Sequence, residues 1–326
     1  VLLGIMFGIV DIAAIVGNIL VIISVAINPR LRTVTNCFVV SLASADLLVG
    51  ILVLPLGIKV EIVGNWGLGT MLCDVWISFD VMLCTASILN LCCISLDRYF
   101  AITNPMVYVT KRSKRLALVM ICVVWVASII ITCPPIFGWR EEGRNELESQ
   151  CFLTRDPGYI IYSSLGSFYI PLVIMIFVYA RIFKVAHERE KRLRPYRRSF
   201  VNGQRRSANP SNDGTPQRTP TIHRDPPSYT HEATESESRE DDMEDRLIET
   251  ERKTAKTLAV VVGCFVVCWL PFFLMYVIEP FCAGCDFHPV LKTCITWLGY
   301  CNSVINPFIY AFYNRDFRSS FWRLTC

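Results

Sequence analysis

Seven long apolar stretches constrain the fold of this chain more than any other feature. They lie at roughly 1–27, 34–61, 72–103, 114–137, 158–184, 254–279 and 289–313. Each is long enough to cross a bilayer, since about 20 apolar residues in a helix span the hydrocarbon core. Inside a bilayer the backbone polar groups must bond within their own segment, which favours helices. The sequence therefore predicts an all-α membrane protein, a bundle of seven transmembrane helices.

Charged residues are concentrated between the fifth and sixth stretches. Residues 181–256 hold 17 of the 32 Lys and Arg residues and 14 of the 28 Asp and Glu residues, which is 31 of 60 charges. The remaining 250 residues carry only 29 charges, too few for the surface of a soluble two-domain protein. The net charge of +4 is too small to favour nucleic acid as a partner.

Composition divides the chain into three parts. Residues 1–193 contain the first five membrane helices and their loops. Residues 194–245 are rich in Pro, Ser, Thr and charge and lack apolar periodicity, so we expect a disordered third cytoplasmic loop. Residues 246–326 contain the last two membrane helices and an amphipathic run at 316–324, which predicts a short amphipathic C-terminal helix.

The distribution of Lys and Arg predicts how the bundle is oriented. The loops after the first and third stretches, the start of the insert and the tail are rich in basic residues. The loop at 139–157 has three Arg against five acidic residues, and the loop at 280–288 has no Lys or Arg. Basic loops stay in the cytoplasm. We expect a multi-pass plasma membrane protein with its N-terminus outside the cell and its C-terminus in the cytoplasm.

Cysteines at the predicted outer face suggest disulfides. Cys73 and Cys151 are expected to pair there and to tether an acidic loop over the bundle. Cys282 and Cys285 share a short outer loop and could form a small ring. Cys326 follows the amphipathic run and is a candidate for palmitoylation. Cysteine and histidine spacings do not fit a transition-metal site.

Ionisable residues inside the stretches are functional candidates because burying charge in a bilayer is costly. Asp80 lies 18 residues before Arg98, which is about 27 Å along a helix and nearly the hydrocarbon thickness. Glu251 and Trp269 have the same separation on a stretch that runs the other way. Asp80 and Trp269 are therefore expected at one level near the outer face, and Arg98 and Glu251 at the inner face.

The outer level combines one carboxylate with hydroxyl groups and aromatic rings. Its predicted members are Asp80, Ser163, Ser164, Ser167, Trp269, Phe272, Phe273, Trp297 and Tyr300. A carboxylate that faces aromatic rings suits a protonated amine, through charge pairing and cation–π contact. Hydroxyls on one helix face could bond a phenol or catechol. Serines in membrane helices also bond their own backbone, so both interpretations of the three serines stay open.

Two deeper levels carry further polar residues. The middle level contains Asp46, Ser87, Asn302, Ser303 and Asn306, which suit a small hard cation, a water network or a structural polar network. At the inner level, Arg98 is expected to pair with Asp97 and, across the bundle, with Glu251. Proline interrupts three stretches, at Pro171, Pro271 and Pro307, and permits bends there. The inner level is a candidate switch.

Seven short motifs in order along the chain resemble those of the rhodopsin-like G-protein-coupled receptors. They are Gly17-Asn18, Leu42-Ala43-Ser44-Ala45-Asp46, the Cys73/Cys151 pair, Asp97-Arg98-Tyr99, Trp125, Cys268-Trp269-Leu270-Pro271 and Asn306-Pro307-Phe308-Ile309-Tyr310. The resemblance implies that Arg98 contacts the G protein, that Trp269 is a toggle, and that Tyr179 and Tyr310 are partners in the active state. It also implies a sodium ion, an allosteric modulator, at Asp46, Ser87, Asn302 and Asn306.

Within that family the sequence is similar to biogenic-amine receptors. The run from Asp80 through Val81 to Cys84 matches the amine-binding segment, and Tyr276 also matches this group. The three serines match positions that meet catechol or phenol hydroxyls. This favours octopamine, tyramine or a catecholamine as agonist, with alpha-adrenergic-like and invertebrate receptors most similar and dopamine or serotonin receptors as alternatives. The implied partners are an amine agonist, a heterotrimeric G protein, receptor kinases and arrestin, and no other cofactor.

Three other classes fit the sequence less well. A transporter would show an internal repeat, and none is visible. A retinal protein would need a lysine within the seventh stretch, but Lys292 lies only at its outer start and 293–313 contain none. A membrane enzyme is disfavoured because the stretches hold no nucleophile and base in a catalytic arrangement.

Overall fold

The structure, a computed structural model, describes residues 2–103, 108, 113–139, 151–207, 257, 259–282 and 287–325. Almost all regular structure in these ranges is helical, and no strand occurs in them. The chain forms two compact units, one made of Val1–Tyr179 with Thr257–Cys326 and the other of Ala180–Lys256. The described part of the second unit, 180–207, is helical. The all-α prediction is confirmed.

Eight helices make up the described structure. They are α1 (Leu2–Ile27), α2 (Val34–Val63), α3 (Thr70–Thr103), α4 (Lys114–Thr132), α5 (Pro157–Ser164, Leu165–Tyr169 and Ile170–Ser207), α6 (259–278), α7 (Pro289–Tyr313) and α8 (Arg315–Thr325). Helices α1 to α6 contain segments that are long and apolar enough to cross a membrane. Helix α7 has 25 residues but falls outside that set. It is more polar because it carries Asn302, Ser303 and Asn306 into the interior.

Two helix ends differ from the boundaries that the sequence predicts. Helix α4 ends at Thr132 rather than near 137. Pro134 and Pro135 follow in a turn, and proline cannot continue a helix because it lacks the backbone N–H. Helix α5 continues to Ser207, into the segment from 194 onward that we expected to be disordered. Its Arg-rich sequence there favours helix. Residues 208–245, the rest of that segment, lie outside the described residues.

Two membrane helices contain a π turn just before a proline. In α2 the turn is Val49–Val53, and Pro55 follows; in α5 it is Leu165–Tyr169, and Pro171 follows. Proline lacks the N–H that would complete the regular ladder, so the wider turn absorbs the missing bond. The turn in α5 begins directly after Ser163 and Ser164 and contains Ser167. It therefore changes which side chains of α5 share a helical face.

The packing brings the helices together most closely around α1, α2, α3 and α7. A Cβ added at Gly17 of α1 would lie 3.0 Å from the ring of Pro307 on α7, so the two helices approach each other at this glycine. Asn18 donates from Nδ2 to the carbonyl of Ser303 at 3.1 Å and fixes the same contact. These contacts place the polar residues of α7 against the bundle interior.

The two ends of the bundle are distinguished by a disulfide. Cys73 at the start of α3 is bonded to Cys151, with an S–S distance of 1.91 Å, which confirms the predicted pair. We call this end of the bundle the disulfide end and the other the opposite end. Helix α8 begins after Asn314, where α7 reaches the opposite end of the bundle. It buries Phe317 and exposes Trp322 and its arginines, which confirms the predicted amphipathic C-terminal helix.

Candidate ligand-binding site

A cavity of about 200 Å³ opens at the disulfide end between α3, α5, α6 and α7. The sequence predicted twelve ligand-binding residues, and ten of them line this cavity. The ten are Asp80, Val81, Cys84, Ser163, Ser167, Trp269, Phe272, Phe273, Tyr276 and Tyr300. Four separate helices thus bring the predicted residues to one concave site. Their role in binding stays a prediction.

Asp80 is the anionic group of the cavity. Tyr300 on α7 donates its hydroxyl to Asp80 Oδ2 at 2.9 Å, and the Cys84 thiol lies 3.5 Å from Oδ1. Among the described residues that line the cavity there is no Lys, Arg or His. A carboxylate that is held partly out of water without a cationic partner is costly. The site is therefore suited to a ligand that supplies the positive charge.

Hydroxyl groups lie deeper in the cavity. Ser167 Oγ and Thr85 Oγ1 are 2.9 Å apart and hydrogen-bonded, which links α5 to α3. Ser163 donates to the backbone carbonyl of Ile160 at 3.3 Å, so it shows the backbone bonding that the sequence left open. Ser164 is buried, its Oγ has no hydrogen-bond partner in the described structure, and it does not line the cavity.

Aromatic rings form the wall contributed by α6. Phe273 stacks on Phe168 with ring centroids 4.5 Å apart, and Phe272 stacks on Tyr276 at 5.8 Å. Trp269 meets Phe272 edge to face at 5.8 Å. This continuous ring surface can enclose an aromatic ligand and present π faces to a cation.

Trp297, another of the twelve predicted residues, lies outside the cavity lining. Its ring stacks on Phe7 of α1 at 3.7 Å and contacts Tyr300 at 5.6 Å, and it does not line the cavity. Thr296 lines the cavity instead, one helical turn before Tyr300. Trp297 packs behind Tyr300 between α1 and α7.

Sequence reasoning missed nine residues of the cavity wall. They are Trp76, Ile77, Thr85, Ile88, Cys151, Phe152, Leu153, Tyr159 and Thr296. Helical spacing from Asp80 gives a signal for two of them, because Trp76 and Ile77 precede it by four and three residues on α3, about one turn away. Phe152 and Leu153 follow the disulfide-bonded Cys151, so the expected tether also indicates where they lie.

Asp46 forms the polar centre of the bundle. Its Oδ1 accepts hydrogen bonds from Ser87 at 2.7 Å and Ser303 at 2.9 Å, and its Oδ2 accepts one from Asn306 at 2.9 Å. Asn302 is buried beside them on α7, and its Oδ1 has no hydrogen-bond partner in the described structure. The Asp46 carboxylate and the amide oxygen of Asn302 are the kinds of oxygen ligand that a small hard cation prefers. These residues therefore fit the implied sodium ion.

Asp97 is the hub of contacts at the opposite end. It lies 3.9 Å from Arg98 Nε, accepts from Thr35 at 2.7 Å, and accepts from the Tyr108 hydroxyl. The predicted pairing of Arg98 with its neighbour is thus present as a loose contact. Glu251, the predicted partner across the bundle, lies outside the described residues.

Aromatic residues of the predicted switch occupy different surroundings. Tyr179 OH lies 3.4 Å from Ser95 Oγ, and Tyr99 meets Phe100 edge to face at 5.3 Å. Tyr310 follows Pro307 by three residues; its ring stacks on Phe317 of α8, and its buried hydroxyl has no hydrogen-bond partner in the described structure. A free hydroxyl in the interior is available for a new bond if the helices move.

Of the other predicted cysteine sites, only a part lies within the described residues. Cys282 is disulfide-bonded. Its predicted partner Cys285 and the candidate lipidation site Cys326 lie outside the described residues. In the part of the chain that is described, no three His, Cys, Asp or Glu side chains are arranged so that they could hold a metal ion.

Comparison with known proteins identifies the family. The profile of the 7 transmembrane receptor (rhodopsin family) matches residues 17–310. The chain belongs to this family. The receptor is 43% identical to a probable G-protein coupled receptor, No18, of Amphibalanus amphitrite, over 95% of the chain and 86% of that protein.

Relatives with named ligands are similar over most of their length. The receptor is 37% identical to an octopamine receptor of Heliothis virescens, over 99% of the chain and 88% of that receptor. It is 40% identical to 5-hydroxytryptamine receptor 7 of Xenopus laevis, over 99% of the chain and 76% of that receptor. It is thus a multi-pass membrane receptor of a G-protein-coupled family whose members are not enzymes and respond to small molecules.

Proposed function

We propose that the receptor binds a hydroxylated phenylethylamine, namely octopamine, tyramine or a catecholamine, and activates a heterotrimeric G protein. Asp80 carries this proposal, because it is a half-buried carboxylate in a cavity whose described lining contains no basic residue. A protonated amine supplies the missing charge and reaches the carboxylate at the level of Tyr300. An octopamine receptor among the relatives supports the ligand class.

The depth of the cavity supports a ligand with a polar group at each end. Thr85 lies five residues below Asp80 on α3, about 7.5 Å along the axis, and is bonded to Ser167. An aromatic ring with a two-carbon amine chain bridges such a distance. Its amine would then meet Asp80, its ring the wall of Phe272 and Phe273, and its hydroxyl the Ser167 level.

This function requires a defined orientation in the plasma membrane. The disulfide end faces the outside, where amines arrive and disulfides persist. The opposite end, with Arg98, faces the G protein. Receptor kinases and arrestin would act on the same cytoplasmic side after activation. The excess of basic residues in the loops on that side supports this orientation.

Replacing Asp80 tests the amine hypothesis. Asp80→Asn removes the charge but keeps a similar shape, so we expect amine potency to fall about a hundredfold or more, because a charged hydrogen bond is lost. The readout is a second-messenger assay with matched surface expression. Asp74→Asn is the control, since it removes one charge from the same helix outside this cavity and should leave potency nearly unchanged. Equal potency of wild type and Asp80→Asn would refute amine binding at this site.

The serines test recognition of the ligand hydroxyl. Ser167→Ala and Ser163→Ala should lower potency for octopamine or a catecholamine about five- to tenfold, the effect of one neutral hydrogen bond. Phenylethylamine, which has no hydroxyl, should be little affected. Ser164→Ala serves as the control because Ser164 is buried but does not line the cavity. Equal losses for both ligands would argue against hydroxyl recognition.

Serotonin is the second candidate agonist. The 40% identity to 5-hydroxytryptamine receptor 7 is as high as that to the octopamine receptor, so relatedness does not separate the two. Serotonin also carries a protonated amine and a ring hydroxyl, and the same residues would hold it. A panel of octopamine, tyramine, dopamine, noradrenaline and serotonin against cyclic AMP and calcium readouts decides among them. The highest potency for serotonin would replace our first proposal.

A further inference from the structure

The π turn of α5 contacts three neighbouring helices through four successive residues. Gly166 lies against α4, because a Cβ added to it would be 3.0 Å from Ile131 Cδ1. Ser167 is hydrogen-bonded to α3. Phe168 and Tyr169 both reach α6. This single turn therefore connects α5 to α3, α4 and α6.

Phe168 connects the turn to the aromatic wall of the cavity that contains Asp80, which we call the amine cavity. Its side chain is fully buried, and its ring stacks on Phe273 of α6 with an angle of 9° between the ring planes. It also lies 5.6 Å from the ring of Phe265, on the same helix as Phe273. Phe273 lines the amine cavity, whereas Phe168 does not. The position of the Phe273 ring is therefore set by α5 as well as by α6.

Tyr169 adds a directional bond to this contact between rings. Its hydroxyl donates to the backbone carbonyl of Phe273 at 3.3 Å, and the two rings meet edge to face at 6.4 Å. Tyr169 is half-buried and does not line the amine cavity. Stacked rings can slide over each other, whereas a hydrogen bond to a backbone atom favours one position of the helix. A phenol hydroxyl without a partner in a membrane-spanning helix is costly, so the bond is retained.

The two hydroxyl groups of the turn serve different walls of the amine cavity. Ser167 lines the cavity itself, and Tyr169, two residues later, holds the ring wall at Phe273. The ring and the hydroxyl of a phenol are rigidly connected, so a phenolic ligand cannot adjust their separation. Binding groups must be held within about 0.5 Å of the productive geometry. The bond of Tyr169 therefore controls whether one ligand can contact Ser167 and Phe273 together.

We propose that Tyr169 is a positioning residue that determines specificity for amines with a ring hydroxyl. Through its bond to Phe273 it holds the aromatic wall at the distance from Ser167 that a rigid phenol requires. Tyr169 needs no contact with the ligand, because it acts through Phe273. This inference rests on the proposed function, since it takes Ser167 as the residue that meets the ligand hydroxyl.

The variant Tyr169→Phe tests the hydroxyl alone, because it keeps the ring and removes one oxygen. The affinities of tyramine and phenylethylamine, which differ by one ring hydroxyl, are measured by radioligand competition in membranes. We call the ratio of the two affinities the tyramine preference. In Tyr169→Phe it should fall about fivefold, the effect of one neutral hydrogen bond. The affinity of phenylethylamine should change little, because its ring can follow the wall.

Tyr162→Phe is the matched control. Tyr162 is on the same helix, and its hydroxyl donates to the carbonyl of Ile130 on α4 at 3.2 Å, but it does not line the amine cavity. The control should leave the tyramine preference unchanged. An unchanged preference in Tyr169→Phe, or an equal loss in both variants, would overturn the proposal. So would an equal loss of affinity for both amines in Tyr169→Phe, because a merely structural role has that effect.

A double-mutant cycle with Ser167→Ala separates this inference from the proposed function. In the Ser167→Ala background, Tyr169→Phe should cause no further loss of the tyramine preference, because no hydroxyl contact is left to align. A further fivefold loss there would mean that the two residues act independently, against a positioning role. If Ser167→Ala alone leaves the tyramine preference unchanged, hydroxyl recognition itself is refuted. If Ser167→Ala removes the preference and Tyr169→Phe retains it, only the positioning role is refuted.

Discussion

Asp11 and Asp46 are buried in the bundle and Asp80 is half-buried, and the surroundings of the three carboxylates differ. Asp46 accepts three hydrogen bonds, and Asp80 is bonded to Tyr300 and Cys84. Asp11 on α1 is 9% exposed, and its Oδ1 has no hydrogen-bond partner in the described part of the chain. A buried polar atom without a partner lowers stability by about 1–3 kcal/mol. Asp11 is therefore a local weakness of the fold.

Removing the Asp11 carboxyl should stabilise the receptor. For Asp11→Leu we expect the midpoint of thermal unfolding in detergent to rise by about 2–4 °C, because the unpaired polar atom is replaced by apolar volume. Ile12→Leu is the control: Ile12 is next in sequence, points outward at 64% exposure, and should leave the midpoint unchanged. A lower midpoint for Asp11→Leu would show that the carboxyl has a stabilising role.

Residue chemistry made much of the candidate site predictable. Carboxylates and aromatic rings are rare inside apolar helices, so Asp80 and the α6 aromatics stood out from the sequence. Asp46 and its α7 partners could be placed at one level by counting residues. Trp297 and Ser164 lie outside the cavity lining, and spacing alone does not give their direction, because it depends on which neighbouring helix each one faces. That choice is set by packing against α1 and by the π turn of α5, neither of which follows from spacing.

The helices themselves were predictable because each needs about 20 apolar residues, but their irregularities were not. The π turns of α2 and α5 arise where a proline follows and neighbouring helices complete the packing. Proline signals a possible bend at these positions, yet it does not decide between a kink and a π turn. Ser163 and Ser167 both line the cavity although Ser167 lies within the π turn of α5, so their shared side of the helix does not follow from regular spacing alone.

At the scale of helix packing, the contact between α1 and α7 depends on Gly17. Gly17→Ala would bring a Cβ to 3.0 Å from Pro307, so the two helices must separate slightly. We expect the free energy of unfolding to fall by about 1–3 kcal/mol, the usual effect of overpacking. Gly8→Ala on the same helix meets no atom within 4 Å and should be neutral or stabilising. The thermal midpoints of the two variants are compared, and equal values would show that the contact is not close in the membrane.

At the scale of the whole receptor, three polar layers follow one another along the bundle. Asp80 lies in the cavity of the disulfide end, Asp46 lies at the centre, and Asp97 lies at the opposite end. The central layer joins α2, α3 and α7 through hydrogen bonds to one carboxylate. A ligand at the first layer can influence the third only by preferring one arrangement of the helices between them. We expect such arrangements of the helices to differ in the hydrogen bonds that the central layer makes to Asp46.

We predict that sodium ions oppose agonist binding. A cation at Asp46 and Asn302 would favour the arrangement in which these oxygens converge, and an agonist that favours another arrangement then binds more weakly. Coupling of this kind changes affinity by about 5- to 150-fold. We expect agonist affinity in membranes to be about tenfold higher when sodium chloride is replaced by N-methyl-D-glucamine chloride at equal ionic strength. In Asp46→Asn the two salts should give the same affinity, while Asp74→Asn should keep the difference because Asp74 lies outside the central layer. A sodium effect that persists in Asp46→Asn would place the ion elsewhere.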